Sequence, residues 1–317
     1  MSKPSALALD APGGGQALLV ALKAIPEERL WLEGQDSPNT RAAYRNDVAG
    51  FLAFLGIRTT DELRQVDRAA VVAFKRHLEV SGAKPATIRR KLAALSSLFA
   101  HLVDHQLLPT NPCRDISRPK VNRRHGTTSA FSATQARAIL AAPPPTTLRG
   151  LRDRAILSVG LQAGARRSSI VRLRVRDLHT DRGYDCLRFL WKGGHEHAVA
   201  LHPQTAQRLR EYLEASGHGG DELGPLFRPI SHTLSVRRQL GADQVGAVLA
   251  RYLKKLRIRG RYSAHSMRAT FITRALENGA SLEAVQEAAG HADPSTTRLY
   301  DRRGYNPEKS AAFFASY

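Results

Sequence analysis

The chain has 317 residues, room for two domains at about 150 residues each, and its 42% hydrophobic and 24% charged residues exclude a disordered or fibrous protein. Lys and Arg number 48 against 28 Asp and Glu, a formal charge of +20 that argues for a polyanionic partner and against a purely structural role. Two distant cysteines, Cys113 and Cys186, exclude a disulfide scaffold and a Cys-rich zinc site, as expected in a reducing compartment. No apolar run approaches the roughly 20 residues of a membrane span, and Met1–Ala11 lacks the apolar core of a signal peptide. A cytoplasmic, nucleoid-associated protein with no membrane partner is expected. Nucleic acid is preferred over anionic lipid because no one helix is both strongly basic and strongly apolar.

In chain order, the Pro-, Ala- and Gly-rich start reads as a mobile arm over residues 1–34, with a short amphipathic helix from Gln16 to Leu32 broken at Pro26. The Gly13–Gly15 triplet has no preceding strand and no following Gly-Lys-Ser/Thr, so it is not a phosphate loop. From Ser37 the spacing predicts a helix with Tyr44, Val48, Phe51, Leu52 and Leu55 inward, Arg41 and Arg45 off that stripe, and Gly56 as its stop. A second helix spans Asp67 to Val80, and a third runs from Pro85 to Leu107 with Ile88, Leu92, Leu95, Phe99 and Leu102 inward. Arg89, Arg90 and Lys91 crowd the third helix's first turns. Cations there oppose the macrodipole, so they serve either a solvated face or a DNA surface. Residues 35–113 thus form an all-helical domain.

Residues 114–130 are a basic linker whose Arg114, Arg118, Lys120, Arg123 and Arg124 face only Asp115. Pro119 forbids a regular helix there, and the segment lies along phosphates or serves as a soluble connector. Ser132 is placed to cap a helix over Thr134–Ala142. Another helix follows at Leu151–Gln162. The period then changes: Cys186–Trp191 and His197–Leu201 flank Gly193-Gly194 as a β-hairpin. Helices resume at Pro203–Ser216, Ala242–Leu256, His265–Asn278, Ser281–Ala289 and Pro307–Tyr317. The predicted fold is mainly α with a small antiparallel β-sheet: an all-helical domain, the linker, and an α+β domain over residues 131–317. Two such lobes could close around a duplex as a clamp.

The sequence lacks a paired carboxylate cluster of the kind two-metal nucleases use, a Walker motif, and GxGxxG followed by an acidic residue. His195-Glu196-His197 lacks the spacing that puts both imidazoles on one helical face, and no metal or cofactor is assigned. The C-terminal block instead holds cations, two histidines and a tyrosine. His265 and Arg268, three apart, share a helix face. His291 opens a turn, Tyr300 follows nine residues later, Arg166 follows Gly164-Ala165, and Lys192 sits at the hairpin tip. Together they describe a phosphate site. Guanidiniums hold non-bridging oxygens in a bidentate way, a deprotonated phenol attacks phosphorus, and fixed cations supply the positive field where charge builds up.

These segments carry a resemblance. Gln162–Ser168 (QAGARRS) resembles the first arginine box of the tyrosine recombinases, the phage integrase family, and Trp191–Gly194 resembles its hairpin lysine motif. His265–Phe271 (HSMRATF) is similar to its His-x-x-Arg box, and Ala289-Gly290-His291 with Thr296–Tyr300 (TTRLY) to its Gly-His and tyrosine boxes. Ser37–Pro112, with Thr40–Tyr44 (TRAAY), resembles the core-type DNA-binding domain. The resemblance implies a site-specific recombinase of the simple Xer-like kind that cuts and rejoins DNA through a 3′-phosphotyrosine, without ATP or metal. It makes Tyr300 the nucleophile, Arg166 and Arg268 the phosphate clamp, His291 a further donor, Lys192 the general acid for the 5′-oxygen, and His265 a helper accepting the phenol proton. It also implies a homotetramer on double-stranded DNA, its C-terminal helices exchanged between protomers. Ser169 stands where the family usually has Glu or Asp to support the first arginine. Arg167 and Tyr305 rival Arg166 and Tyr300, and the Gly-Ala before Arg166 and the step from His291 favour the first choices. The alternatives are a type IB topoisomerase-like relaxer and a non-catalytic DNA-binding regulator.

Overall fold

Prolines and glycines set the ends of the first helices. Helix α1 (Glu27–Glu33) starts directly after Pro26, and α2 (Pro38–Leu55) has Pro at its first position and stops at Gly56, whose φ of 71° any side chain would disfavour. Short α3 (Thr60–Arg64), not foreseen from periodicity, is nucleated by a capping box in which Thr59 and Glu62 satisfy each other's backbone N–H groups. Asp67 caps α4 (Arg68–Val80), and α5 (Pro85–Asp104) again opens on proline. The computed structural model describes residues 26–120, 128–190, 196–230, 238–291 and 293–301. It divides into two compact units, Met1–Asn122 and Arg123–Tyr317. No helix among the described residues is long and apolar enough to cross a membrane.

The core of the first unit is the predicted one. Ile88, Leu92, Leu95, Phe99 and Leu102 of α5 are buried, and Phe51 meets Phe74 and Phe99 edge-on at 5.1 and 6.2 Å. Two expected boundaries shift. The arm expected over residues 1–34 includes Trp31, which is buried, stacks on Tyr44 at 5.7 Å and donates from Nε1 to Ser97 Oγ at 3.1 Å. Residues from 27 onward therefore belong to the helical unit. At the other end, partly buried Ile116 packs on the same core, so the helical unit reaches past residue 113 into the expected linker.

In the second unit, α6 (Ala133–Ala141) carries the foreseen Ser132 cap, here a capping box with Gln135. Buried α7 (Leu148–Gln162) packs against α9 (Pro203–Ser216) and α11 (Ala264–Glu277). Between them come α8 (Arg167–Arg172), β1 (Leu178–Asp181), β2 (Tyr184–Leu190) and β3 (Glu196–Ala200), an antiparallel sheet of order β1-β2-β3. The hairpin prediction holds for β2 and β3, which pair Leu187 with Val199, whereas β1 was too short and polar to be read as a strand. Then follow α10 (Ala242–Lys255), α12 (Leu282–Ala289) and α13 (Pro294–Arg298). Fully buried Asp153 on α7 accepts hydrogen bonds from Arg152, Arg251 and Tyr252, at 2.8, 2.7 and 3.0 Å. This network joins α7 to α10 with a buried charge fully paired. The final helix expected over Pro307–Tyr317 lies outside the described residues.

Candidate active site

Four turns of chain converge on one pocket. After α7 the chain reverses at Gly164, whose φ is 62°, and a Cβ there would stand 2.3 Å from Phe271 Cδ1. Only glycine permits that turn, and it delivers Arg166 to the start of α8. The first turn of α11, capped by Ser263, carries His265 and Arg268 on one face. Helix α12 ends on Gly290 at φ 66°, which turns the chain so that His291 follows at once. Tyr300 follows Leu299, the C-cap of the short helix α13.

Arg166 donates from Nη2 to the carbonyl of Gly290 at 3.1 Å. Arg268, 2% exposed, donates to the carbonyl of Gly164 at 2.8 Å and to that of Ala289, while its buried Nε has no partner among the described residues. Main-chain oxygens thus orient both guanidiniums. Ser169 lines a small separate pocket with Arg166, Phe189 and Arg268, and brings no charge to it. The Tyr300 hydroxyl lies 2.9 Å from His265 Nε2, and the Tyr300 ring stacks nearly parallel to that of His291, 6.2 Å away. His291 is oriented by Thr297, whose hydroxyl is 2.8 Å from Nδ1, and Thr273 donates to the Tyr300 carbonyl at 3.2 Å. Beside these groups opens a cleft of about 550 Å³ lined by Arg166, Arg167, Ser168, Tyr262, His265 and Arg268.

The electrostatics follow from crowding cations where water is scarce. Burial, then the neighbouring Arg166, pulls Arg268 down to about 10, offset in part by Tyr300. Burial, followed by Arg268, Arg166 and His265, pushes His291 down to about 4. His265 is lowered by burial and by the same two arginines. Tyr300 is raised by burial, while Arg268 and Arg166 pull it back. Around the two guanidiniums, burial and neighbouring cations favour the neutral imidazoles, and burial favours the protonated phenol.

Five of the six residues singled out in the sequence meet here: Arg166, His265, Arg268, His291 and Tyr300. Lys192 and the rival Tyr305 lie outside the described residues. Arg167, the rival to Arg166, is paired instead with Asp243 at 2.9 Å. Thr297 and Thr273 were not singled out. Thr297 stood in the quoted TTRLY segment, but only its burial next to His291 gives it a task.

The cations expected to meet DNA divide in the structure. Arg45, Arg118 and Lys120 are exposed. Arg41 donates to the carbonyl of Glu33 at 3.2 Å, and Arg89 to that of Pro119 at 3.3 Å. Arg90 and Lys91 both pair with Asp47, which is 1% exposed. Neither of the two roles considered for that cluster included a buried counterion, because Asp47 comes from a different helix. Arg123 and Arg124 lie outside the described residues.

Residues 130–306 match the phage integrase family, and residues 27–106 match the phage integrase N-terminal SAM-like domain. Tyrosine recombinase XerC of Pelobacter propionicus is 33% identical over 290 residues, which cover 90% of this chain and 91% of that one. Tyrosine recombinase XerD of Lacticaseibacillus casei is 31% identical over 266 residues, with 82% and 86% covered. Among solved structures, a lambda integrase tetramer bound to a Holliday junction has a TM-score of 0.67 at 18% identity, over 92% of this chain and 80% of that one. XerH site-specific recombinase bound to palindromic difH substrate, in a post-cleavage complex, has a TM-score of 0.64 at 18% identity, over 87% and 78%. The two structures share the fold. With both domains matched and relatives aligned along most of its length, the chain belongs to the phage integrase family, as a Xer-like tyrosine recombinase that cleaves and rejoins DNA at specific sites.

Proposed function

We propose that Tyr300 is the nucleophile of this recombinase and that Arg166, His265, Arg268, His291 and Lys192 complete its catalytic set. The phenolic oxygen attacks the scissile phosphorus. The new O–P bond becomes a 3′-phosphotyrosine as the P–O5′ bond breaks, and His265 accepts the phenol proton while Lys192 protonates the departing 5′-oxygen. Arg166, Arg268 and the Nε2 of His291 hold the non-bridging oxygens, where negative charge increases in the transition state. Attack by the freed 5′-hydroxyl of a partner strand reverses these steps, so bond energy is conserved. The observation that carries this reading is the 2.9 Å contact of the Tyr300 hydroxyl with His265 Nε2, inside a pocket where main-chain carbonyls orient Arg268.

The substrate is double-stranded DNA carrying a recombination site. The helical unit supplies phosphate contacts from Arg41, Arg45, Arg89, Arg90, Lys91, Arg118 and Lys120, with Arg123 and Arg124 continuing the path. Strand exchange takes place in a homotetramer linked by the segment after Pro307. The lambda integrase tetramer on a Holliday junction supports this assembly by its shared fold.

A nicked duplex that loses its 5′ fragment on cleavage traps the covalent complex. The wild-type chain is expected to give an adduct that maps to Tyr300, and Tyr300→Phe is expected to bind the duplex with unchanged affinity and form none. An adduct at Tyr305, or one that survives in Tyr300→Phe, refutes the assignment.

A further inference from the structure

Glu27, His101 and His105 form a second cluster, in the helical unit and separate from the pocket around Tyr300. His101 lies in the last turn of α5 and His105 is its C-cap residue, four positions on, so the two imidazoles come together on one side of the helix end. Glu27 begins α1, which lies antiparallel against them. The register is set by Trp31, one turn further along α1, which bonds Ser97, one turn back along α5. That buried anchor places Glu27 Oε2 at 3.0 Å from His101 Nε2 and 3.7 Å from His105 Nδ1. The three ligand atoms all lie within 4.8 Å of one another.

We propose that Glu27, His101 and His105 are three ligands of a binding site for one late first-row divalent cation of the zinc type. With bonds of about 2.0–2.1 Å, neighbouring donors around a tetrahedral ion stand about 3.3–3.4 Å apart, so the two measured separations bracket the required one. Two imidazoles and a carboxylate are the donor set these ions select, whereas calcium and magnesium demand more oxygen. The side chains of His101, Glu27 and His105 are 22, 27 and 49% exposed, so an ion can reach them from solvent, and water would complete its coordination. Bound there, the ion clips residue 27 to residue 101, 74 positions apart, and closes a long loop of the unfolded chain. Its role is to hold α1 on the helical unit, not to serve the chemistry at Tyr300.

The test uses the full chain, stripped with a chelator and titrated with zinc chloride, with bound metal counted after equilibrium dialysis and thermal unfolding followed in parallel. One equivalent is expected at a Kd of about 1–10 µM, with unfolding shifted to higher temperature. His105→Ala, at the most exposed ligand, and Glu27→Gln, which keeps an acceptor for His101, are each expected to weaken binding about tenfold or more and to remove the thermal shift. His197→Ala, in the other unit, is expected to leave both unchanged. Zinc that fails to bind at micromolar concentration, binds equally well to His105→Ala and Glu27→Gln, or is lost only in His197→Ala overturns the site. Should His105→Ala not fold, Glu27→Gln decides, because it changes charge and hardly any shape.

Discussion

Tyr300 and His265 share one proton across 2.9 Å, and their surroundings decide which of them holds it. Burial keeps the phenol protonated, and burial with Arg268 and Arg166 keeps the imidazole neutral, so at rest the proton stays on oxygen. Burial, with Arg268 and Arg166, lowers the His265 pKa from the ordinary 6.5. If His265 accepts the phenol proton, the acid-side midpoint of the single-turnover cleavage rate should lie below pH 6.5, and a midpoint above that value contradicts this role. Thr297→Val removes the 2.8 Å contact that aims His291 while keeping the side chain's shape. The loss of one such hydrogen bond, about 1–1.5 kcal/mol, should slow cleavage about tenfold and leave duplex affinity intact. At this scale the sequence was legible in part. Reactive types at family spacing exposed Arg166, His265, Arg268, His291 and Tyr300. Thr297 stayed hidden because a threonine has no chemistry of its own until a neighbour is placed against it.

The same limit appears among the elements. Helices with a clear apolar stripe, α2, α4 and α5, were predicted within a few residues of where they lie, since burial enforces the period. The short α3, α8 and β1 were missed: a capping box holds α3, packing against α7 and α10 holds α8, and a partner strand holds β1, none of which is periodicity. Asp47 illustrates an interaction between elements that no single segment announces, for α2 supplies the carboxylate and α5 both cations. Asp47→Asn should destabilise the helical unit by about 1–2 kcal/mol, the partly exposed Arg90 limiting the loss, as measured by urea unfolding. It should also strengthen non-specific DNA binding by freeing two cations. Gly164→Ala tests the turn between α7 and α8. Its Cβ would collide with the Phe271 ring at 2.3 Å in a left-handed backbone, and the carbonyl holding Arg268 would shift. We expect about 2–4 kcal/mol of destabilisation together with loss of cleavage, whereas Gly220→Ala, with open space around it and away from the cleft, should do neither.

Over the whole molecule, an excess of 20 positive charges should make duplex affinity fall steeply with salt. Replacing exposed Arg118 or Lys120 by Ala should reduce the slope of log K against log salt by about 1 if each meets a phosphate. The charged pocket also sets acid sensitivity. His291 takes up a proton near 6.5 when unfolded and only near 4 when folded. The unfolded chain therefore binds more protons, and stability is lost as pH falls from 6.5 towards 4. Such a shift corresponds to roughly 3 kcal/mol, of which solvent screening leaves on the order of 1–2. Denaturant unfolding across that window should show the loss in the wild-type chain and much less of it in His291→Gln.

The oxygens that steer Arg166 and Arg268 belong to residues 164, 289 and 290, and all are peptide carbonyls. A side-chain counterion can vanish with a single codon change, but every amino acid carries a carbonyl. The anchorage therefore survives mutation of the surrounding side chains for as long as the chain keeps its path. A substitution at Ser169 would leave the hydrogen bonds that hold both guanidiniums in place.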